Sequence, residues 1–247
     1  MTATAPEDST PRRKLVWIEF LVVFCVLYLP SVIGFFFRAP NRAPRPVILG
    51  RTVRPTLLSE LLVYQFVDYM RVILPILLIV WLSDRSLRKL GIVRPQWKLC
   101  IVVTGCLLLF DALMFFQVNP LLCSMLPTSA FTPGRSIFYP SSPFWQLLPA
   151  TALSTFWEEL LFRGYFLSRL REQLGNYWAP IFFTAAMFAF WHWGQGPVGM
   201  INGAIVGLVF GAAYAITGRI WPTVIAHLAY DGWVSWSVYV FALHHAR

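Results

Sequence analysis

Acidic, basic and imidazole side chains stand at three places in the C-terminal half of this chain, each time inside an otherwise apolar run. The three segments read EELLFR at 158–163, FAFWH at 188–192 and HLAYD at 227–231. Ionisable groups are costly to hold among apolar residues in a membrane, so their presence there indicates a function. Carboxylates beside imidazoles are the groups that activate water in general acid–base hydrolysis.

The first segment holds two carboxylates that point in different directions on a helix. Glu159 and Arg163 are four residues apart, in the acid-before-base order that stabilises a helical pair. Glu158 is rotated by about 100° from Glu159 around the same helix. The spacing therefore predicts one neutralised carboxylate and a second that faces a cavity as a general base. The alternative interpretation is a charged patch at the membrane interface.

The second and third segments each supply an imidazole. His192 by itself is compatible with a hydrogen bond between helices or with a catalytic role. His227 and Asp231 are four residues apart, so their side chains share one helix face. Such a pair can orient the imidazole, bind a metal or relay protons, and it can also be a buried hydrogen bond without further function.

Four further ionisable residues lie in apolar runs closer to the N-terminus, and we expect structural roles for them. Glu19 is near enough to a helix end to reach the interface. Asp68 and Arg71 can neutralise each other at a spacing of three. Asp111 has no partner nearby in the sequence, so we expect it to bond a neighbouring helix.

Membrane helices are the elements that must position these groups. The 247-residue chain is 57% hydrophobic and only 13% charged, whereas soluble domains carry about 25% charged residues. A helix needs about 20 apolar residues to cross a bilayer. By that measure the fold class is predicted as all-α, a polytopic transmembrane bundle of seven spans with an eighth left open. The predicted spans are 15–37, 57–82, 99–118, 144–168, 177–193, 198–216 and 220–242.

The same pattern divides the chain into four parts. Residues 1–14 are predicted to form a polar cytoplasmic tail, and 15–143 the N-terminal helices with their connectors. Residues 144–242 form a helical core that carries the three segments, followed by a short tail at 243–247. On the sixth span of this core, glycine recurs every fourth residue, which predicts close packing against a neighbouring helix. These residues are Gly199, Gly203, Gly207 and Gly211.

The net charge of +9 arises mainly in the connectors. Connectors 38–55 and 83–98 each carry five basic residues, and the Pro-, Ser- and Thr-rich stretch 119–143 carries only Arg135. Because basic loops remain on the cytoplasmic side, a cytoplasmic N-terminus is predicted, with 38–55 as an exception on the outer side. Anionic lipid headgroups account for this charge, so the lipid bilayer is an expected partner and nucleic acid is not.

Counting from the predicted cytoplasmic helix ends brings the three segments to similar depths. The helical rise places Glu158 about 18 Å, His192 about 22 Å and His227 about 10 Å from those ends. The sequence therefore predicts that the three groups converge in one cavity below the cytoplasmic surface.

The three segments together resemble the motifs of the CPBP family, which comprises CAAX proteases and bacteriocin-processing enzymes. The family pattern is EExxxR, FxxxH and HxxxN or HxxxD on successive membrane helices, and all three occur here in that order. The resemblance implies an all-α intramembrane endopeptidase, similar to the prenyl-CAAX (Ras-converting) enzyme. It also gives Glu159 and Arg163 a supporting role in the site.

The resemblance further implies the roles of four residues. Glu158 and His192 correspond to the pair that activates water, and His227 and Asp231 to the residues that stabilise the oxyanion. Prenyl-CAAX enzymes usually have asparagine at the position of Asp231. An ionised aspartate cannot donate a hydrogen bond to an oxyanion. Either His227 is the donor and Asp231 fixes its tautomer, or Asp231 is protonated.

Members of the family are described both as metalloproteases and as glutamic proteases. A metal-free mechanism, without any cofactor, is favoured here because a glutamate beside a histidine can activate water alone. The alternative is Zn²⁺ or another divalent metal held by Glu158, His192, His227 and Asp231, with one position open for water. No HExxH motif occurs in the chain.

The predicted function is hydrolysis of a peptide bond in a membrane-associated protein or peptide. The expected location is the bacterial inner (plasma) membrane, which the chain crosses several times. Two alternatives remain from the residues: a non-catalytic immunity or scaffold protein with the same helices, and a proton-coupled transporter, since intramembrane acids and histidines also build proton relays. The sequence does not indicate an oligomeric state.

Overall fold

Helices make up almost all of the structure, a computed structural model. It describes residues 10–37, 47–48, 51–52, 66–67, 70, 73–79, 81–82, 86–126 and 144–245. The helices are α1 (Thr10–Phe37), α2 (Trp97–Leu113), α3 (Asn119–Met125), α4 (Phe144–Glu159), α5 (Ser168–Leu174), α6 (Trp178–Trp191), α7 (Gly196–Thr217) and α8 (Trp221–His245). The described residues between 66 and 82 are also helical.

Short irregular elements complete the described chain. Strands β1 (Val47–Ile48) and β2 (Arg51–Thr52) pair antiparallel, and 3₁₀ turns lie at Leu87–Leu90 and Trp193–Gln195. Residues Met114–Val118 form a π-helical turn that joins α2 to α3. A longer π-helical segment, Leu160–Leu167, joins α4 to α5. The predicted all-α class is confirmed.

The predicted spans that the structure describes in full agree with the observed helices to within a few residues, except in three places, one being the fourth, which continues through α5 to Leu174. Most of the first half of the predicted span 57–82 lies outside the described residues. Helix α1 begins at Thr10, so the three basic residues predicted to end a polar tail belong to its first turns. The predicted third span ends at 118, whereas the helical rod continues to Met125. Pro120 lies in the first turn of α3, directly after the π-helical turn, and the helix continues past it. The rest of 119–143, from 127 on, lies outside the described residues.

Two helical stretches in the described part of the chain are long and apolar enough to cross a membrane, namely Trp97–Met125 and Gly196–Thr217. Helices Val16–Leu29 and Trp178–Trp191 are apolar but shorter. Large side chains face outward from these rods, such as Leu109 at 75% and Ile216 at 77% exposure. A lipid-facing surface accommodates such residues, in agreement with a membrane protein. The number of crossings stays a prediction.

The π-helical segment Leu160–Leu167 runs through the centre of the bundle, and all eight of its residues are buried. Phe20 and Leu27 of α1, Phe188 of α6 and Phe210 of α7 belong to the same apolar core. The two carboxylates of the EELLFR segment immediately precede this buried stretch. The segment is therefore held from several sides, which fixes the direction of its polar side chains.

The glycine strip of α7 packs against α6, as its spacing predicts. A Cβ atom added at Gly207 would lie 2.8 Å from Ala185 Cα, and one at Gly203 would lie 3.2 Å from Ala189 Cα. Only residues without a side chain allow two helix backbones to approach this closely. The strip therefore sets the distance between α7 and α6, the helix directly followed by His192.

The connector before α2 is anchored on the turn between α7 and α8. The Ile220 N–H donates to Gly91 O at 3.3 Å, and Trp221 Nε1 donates to Val93 O at 2.8 Å. Gly91 has φ +77°, and a Cβ there would lie 2.6 Å from the Tyr214 ring, so both the turn and the contact require glycine.

Glu19 has the structural role expected from the sequence. It forms an ion pair with Arg169, which joins α1 to α5, and Arg169 also lies 3.4 Å from Glu172. Asp68 and Arg71, for which an ion pair was predicted, lie outside the described residues.

Candidate active site

A buried ion pair forms the base of the candidate site. Arg163 Nη1 donates to Glu159 Oε1 at 2.9 Å, as the spacing of four predicts, and the two side chains are 2% and 0% exposed. The guanidinium group lies over the rings of Phe188 and Phe210, at 4.7 and 5.4 Å from their centroids. Aromatic faces attract a cation at such distances. The pair thus connects α4 with α6 and α7.

Glu159 also orients His227. The Nδ1 atom of His227 lies 2.8 Å from Glu159 Oε1. A carboxylate oxygen accepts hydrogen bonds, so Nδ1 carries the proton and donates. His227 Nε2 is consequently directed to the other side of the ring. In one of the two alternatives left open by the sequence, Asp231 fixed this tautomer. The structure assigns it to Glu159, because the two helices bring that buried carboxylate to the far edge of the ring.

The Nε2 atom of His227 faces two further carboxylates. It lies 3.9 Å from Glu158 Oε2 and 3.5 Å from Asp231 Oδ2. Asp231 is also fixed from α4, since Thr155 Oγ1 donates to its Oδ2 at 3.0 Å. The distance to Glu158 is too long for a direct hydrogen bond but suits a single water molecule that bonds to both atoms.

Glu158 lies on the side of the site that is formed by α4. Its side chain is 13% exposed. The indole N–H of Trp191 donates a hydrogen bond to it. Unlike Glu159, it makes no ion pair with an arginine or lysine in the described part of the chain. The two adjacent glutamates therefore differ as the sequence predicts. One is neutralised by Arg163, and the other faces the imidazole of His227.

His192 lies at the C-terminal end of α6 and is oriented by its own helix. Its Nδ1 atom is 2.8 Å from the carbonyl oxygen of Phe188. A carbonyl oxygen only accepts, so Nδ1 carries the proton and Nε2 is left with a lone pair. Gly203 of α7 makes room for the ring, since a Cβ there would lie 3.2 Å from His192 Nδ1. The sequence predicted that Gly203 packs against a neighbouring helix, but it did not predict the contact with His192.

A cavity of about 360 Å³ lies between the α2–α3 rod and helices α6, α7 and α8. His192, His227 and Asp231 line it, whereas Glu158, which the sequence predicted to face the cavity, is not among its lining residues and contacts the site through His227. The lining extends to Gln195 at the turn between α6 and α7. The cavity thus extends from His227 to the turn at which the chain reverses after Trp191.

The cavity also contains polar residues that the motifs do not include. Asp111, Asn119, Asn202 and Tyr230 all line it. The expectation that Asp111 bonds a neighbouring helix stays a prediction, although its Oδ2 has no hydrogen-bond partner within the described residues. In the sequence, Asp111 stood out only because it had no charged partner nearby, and we interpreted it as a structural residue. The asparagines gave no signal, because they meet only when three helices pack.

The four residues considered as metal ligands do not form a compact ligand set. No group of three or more His, Cys, Asp or Glu side chains in the described ranges has a geometry that holds a metal ion. The Nδ1 atoms of His192 and His227 both bond to protein acceptors, which leaves Nε2 as the nitrogen that each ring could offer to a metal. Glu158 is not among the residues that line the cavity containing His192. The described side chains are therefore not arranged as a ready-made metal site, and the metal-free mechanism stays a prediction.

Residues 140–233 match the family model described as Type II CAAX prenyl endopeptidase Rce1-like. This range contains all three motifs, so the resemblance predicted from them is confirmed for this part of the chain. No curated protein and no solved structure gives a match to the chain. Over residues 140–233 the chain is therefore similar to a CAAX-type prenyl endopeptidase, a family name that implies a peptidase.

Proposed function

We propose that this protein is a multi-pass intramembrane endopeptidase that cleaves a peptide bond in a membrane-associated substrate, with water activated by Glu158 and His192. The observation that carries the proposal is the arrangement around His227. Its Nε2 lies 3.9 Å from the unpaired Glu158, and the same ring lines a cavity together with His192. An acid without an arginine or lysine partner, beside two oriented imidazoles, is suited to hydrolysis without a metal.

In the proposed reaction, a water molecule beside Glu158 and His192 attacks the scissile carbonyl carbon. Glu158 takes one proton from that water as the carbon–oxygen bond forms. The lone pair of His192 Nε2 supports the orientation of the water, since Nδ1 is held by the carbonyl of Phe188. The carbon–nitrogen bond then breaks, and Glu158 delivers its proton to the leaving amine. All atoms and protons are thereby accounted for.

His227 is the group proposed to stabilise the oxyanion. A protonated Nε2 donates a hydrogen bond, and the three carboxylates around the ring favour that protonated form. Preorganised donors of this kind contribute about 2.7–4 kcal/mol to stabilising the transition state. Asp231 then acts as an acceptor that holds the ring from the cavity side, a role that an ionised aspartate can perform.

The substrate class follows from the surroundings of the cavity. The helices that form it are apolar on their outer faces, so a substrate that already resides at the membrane has the shortest path to the site. We propose the bacterial inner membrane as the location. A metal is not part of the proposed mechanism, since the arrangement of side chains does not favour one.

The variant Glu158→Gln tests the proposal directly. It preserves the shape of the side chain and removes the base, so cleavage is expected to fall by at least about 100-fold, the usual contribution of a general base. Glu172→Gln is the matched control, because it makes the same change in an acid of α5 that lies outside the cavity.

The measurement compares membrane proteomes of cells that carry the wild type, Glu158→Gln or Glu172→Gln. A peptide product that is present with the wild type and the control, and absent with Glu158→Gln, identifies the substrate. The synthetic substrate is then cleaved by purified protein in liposomes. Full cleavage by Glu158→Gln would exclude the base assignment. The non-catalytic alternative predicts instead that no product depends on Glu158.

A further inference from the structure

One wall of the cavity presents hydrogen-bond acceptors that have no partner. Asp111 Oδ2, Asn119 Oδ1 and Asn202 Oδ1 are buried oxygen atoms without a hydrogen bond in the described part of the protein. The three residues line the same cavity as His192 and His227. Asp111 is only 5% exposed. Buried polar atoms are nearly always bonded, so three unpaired acceptors at one cavity indicate a ligand that donates.

Tyr230 explains why the two amides present their oxygens. Asn119 Nδ2 and Asn202 Nδ2 both donate to the Tyr230 hydroxyl oxygen, at 3.0 and 3.2 Å. The phenol has a single proton, so it can donate to no more than one amide oxygen even if one amide group is reversed. At least one of the two Oδ1 atoms therefore remains an acceptor without a protein donor.

The π-helical turn brings two of these acceptors onto one face of the α2–α3 rod. Asp111 and Asn119 are eight residues apart, and Met114–Val118 between them is π-helical. A π-turn contains one residue more than an α-turn, so the pair is spaced like residues about seven apart on a regular helix, which is about two turns. Single π-turns are frequent at functional sites.

The charge of the cavity is negative on this side. Asp111 and Asp231 line it, and neither lysine nor arginine is among the described residues that do. A single carboxylate and two amide oxygens supply three ligands, whereas Ca²⁺ takes about 6–8 oxygen ligands and Mg²⁺ about six in an octahedron. A cation that carries its own N–H donors satisfies this wall better than a bare metal ion.

We propose that the wall formed by Asp111, Asn119 and Asn202 binds a lysine or arginine side chain of the substrate beside the scissile bond. This inference rests on the proposed function and names its substrate class. The ammonium or guanidinium group donates to the three oxygens, and the Asp111 carboxylate neutralises it. Charge-assisted hydrogen bonds of this kind are stronger than neutral ones. The remaining volume of the cavity accommodates the peptide next to His192 and His227.

The test measures binding and needs no cleavage. The full-length Glu158→Gln protein in lipid nanodiscs is titrated with palmitoylated alanine-rich octapeptides that contain one norleucine, or one lysine in its place, at each of six central positions. We expect at least one lysine peptide to bind about tenfold more tightly than its norleucine counterpart, which corresponds to about 1.4 kcal/mol.

The preference is expected to disappear when Asp111→Asn is added, because this change removes the charge and keeps the volume. Tyr230→Phe is expected to reduce it, since the two amides lose their common partner. Glu172→Gln is the charge-matched control, because it removes a carboxylate outside the cavity, and it should retain the full preference.

Three outcomes would overturn the proposal: equal binding of every lysine and norleucine pair, a preference that survives Asp111→Asn, or no binding by any peptide. Failure of the proposed function appears elsewhere, as a membrane proteome in which no product depends on Glu158. A lysine preference without cleavage would show that the protein binds such peptides but is not a peptidase. Cleavage without the preference would show that it is a peptidase of another specificity.

Discussion

Glu158 and Glu159 are adjacent in the chain, yet their surroundings assign them different tasks. Glu159 accepts hydrogen bonds from both Arg163 and His227 and is fully buried. Glu158 has no arginine partner in the described residues and faces His227 across a gap. Two identical side chains can thus serve as a structural anchor and as a base, because a single helical step turns them to different neighbours.

We therefore expect the same substitution to lower stability at Glu159 and to leave it nearly unchanged at Glu158. Glu159→Gln leaves the Arg163 charge buried without a counter-charge, which is expected to lower the free energy of unfolding by about 3–5 kcal/mol. Glu158→Gln removes no ion pair with Arg163 and is expected to leave stability nearly unchanged. Denaturation in mixed detergent micelles measures both variants. Equal losses of stability would contradict the difference in their roles.

The sequence predicted the Glu159–Arg163 pair because both partners lie on one helix, four residues apart. It did not predict that Glu159 holds His227, since that contact joins positions 68 residues apart in the chain. The unpaired Asp111 was likewise missed. A contact within a helix follows from periodicity, whereas a contact between helices depends on how the rods pack.

Helices α6 and α7 form the element on which the position of His192 depends. Gly207 faces the backbone of Ala185 at a distance that no Cβ atom tolerates, and Gly203 leaves space for the imidazole. The segment order and most helix boundaries were predictable from the apolar runs. The two π-helical stretches were not, because they arise from packing and leave no periodic pattern in the composition.

Gly207→Ala is expected to push α6 away from α7 and to destabilise the protein by about 1–3 kcal/mol, as overpacking does. Activity should fall as well, since His192 moves with α6. Gly211→Ala is the matched control, because its Cβ would meet Ile181 at an ordinary 3.4 Å. Thermal unfolding and cleavage are measured for both variants. A destabilised Gly211→Ala beside an unaffected Gly207→Ala would refute the packing argument.

At the scale of the whole molecule, the two ends of the bundle differ. The connector 86–96 and the turn between α7 and α8 lie together at one end. The turn between α6 and α7 lies at the other, about 33 Å away along the 22 residues of α7. If the N-terminus is cytoplasmic, as the basic connectors predict, the turn between α6 and α7 lies on the outer side of the membrane.

Thiol labelling tests this orientation. In a variant whose four native cysteines are replaced, Gln195→Cys is expected to react with a membrane-impermeant reagent added outside intact cells. Arg88→Cys, an exposed residue at the opposite end, should react only after the membrane is opened. The reverse pattern would show that the basic connectors were assigned to the wrong side.

The metal-free mechanism makes a prediction for the purified protein. We expect cleavage to survive exhaustive chelation, because the proposed water activation depends on Glu158 and His192 alone. A zinc-dependent membrane protease treated in parallel should lose its activity. Elemental determination of zinc in the active protein completes the test. Activity that is lost on chelation and restored by Zn²⁺ would support the metalloprotease alternative.

The α2–α3 rod contributes Asp111 and Asn119 to the cavity, although it precedes the segment 140–233 that carries the three motifs. In our proposal, part of the selectivity is therefore encoded outside the stretch that carries the three motifs, whereas Asn202 of the same wall lies within it. Exchanging residues 97–125 between homologous proteins is expected to alter the preference for one substrate sequence while the three motifs stay unchanged. Selection can in this way diversify what is cut without risking the ability to cut.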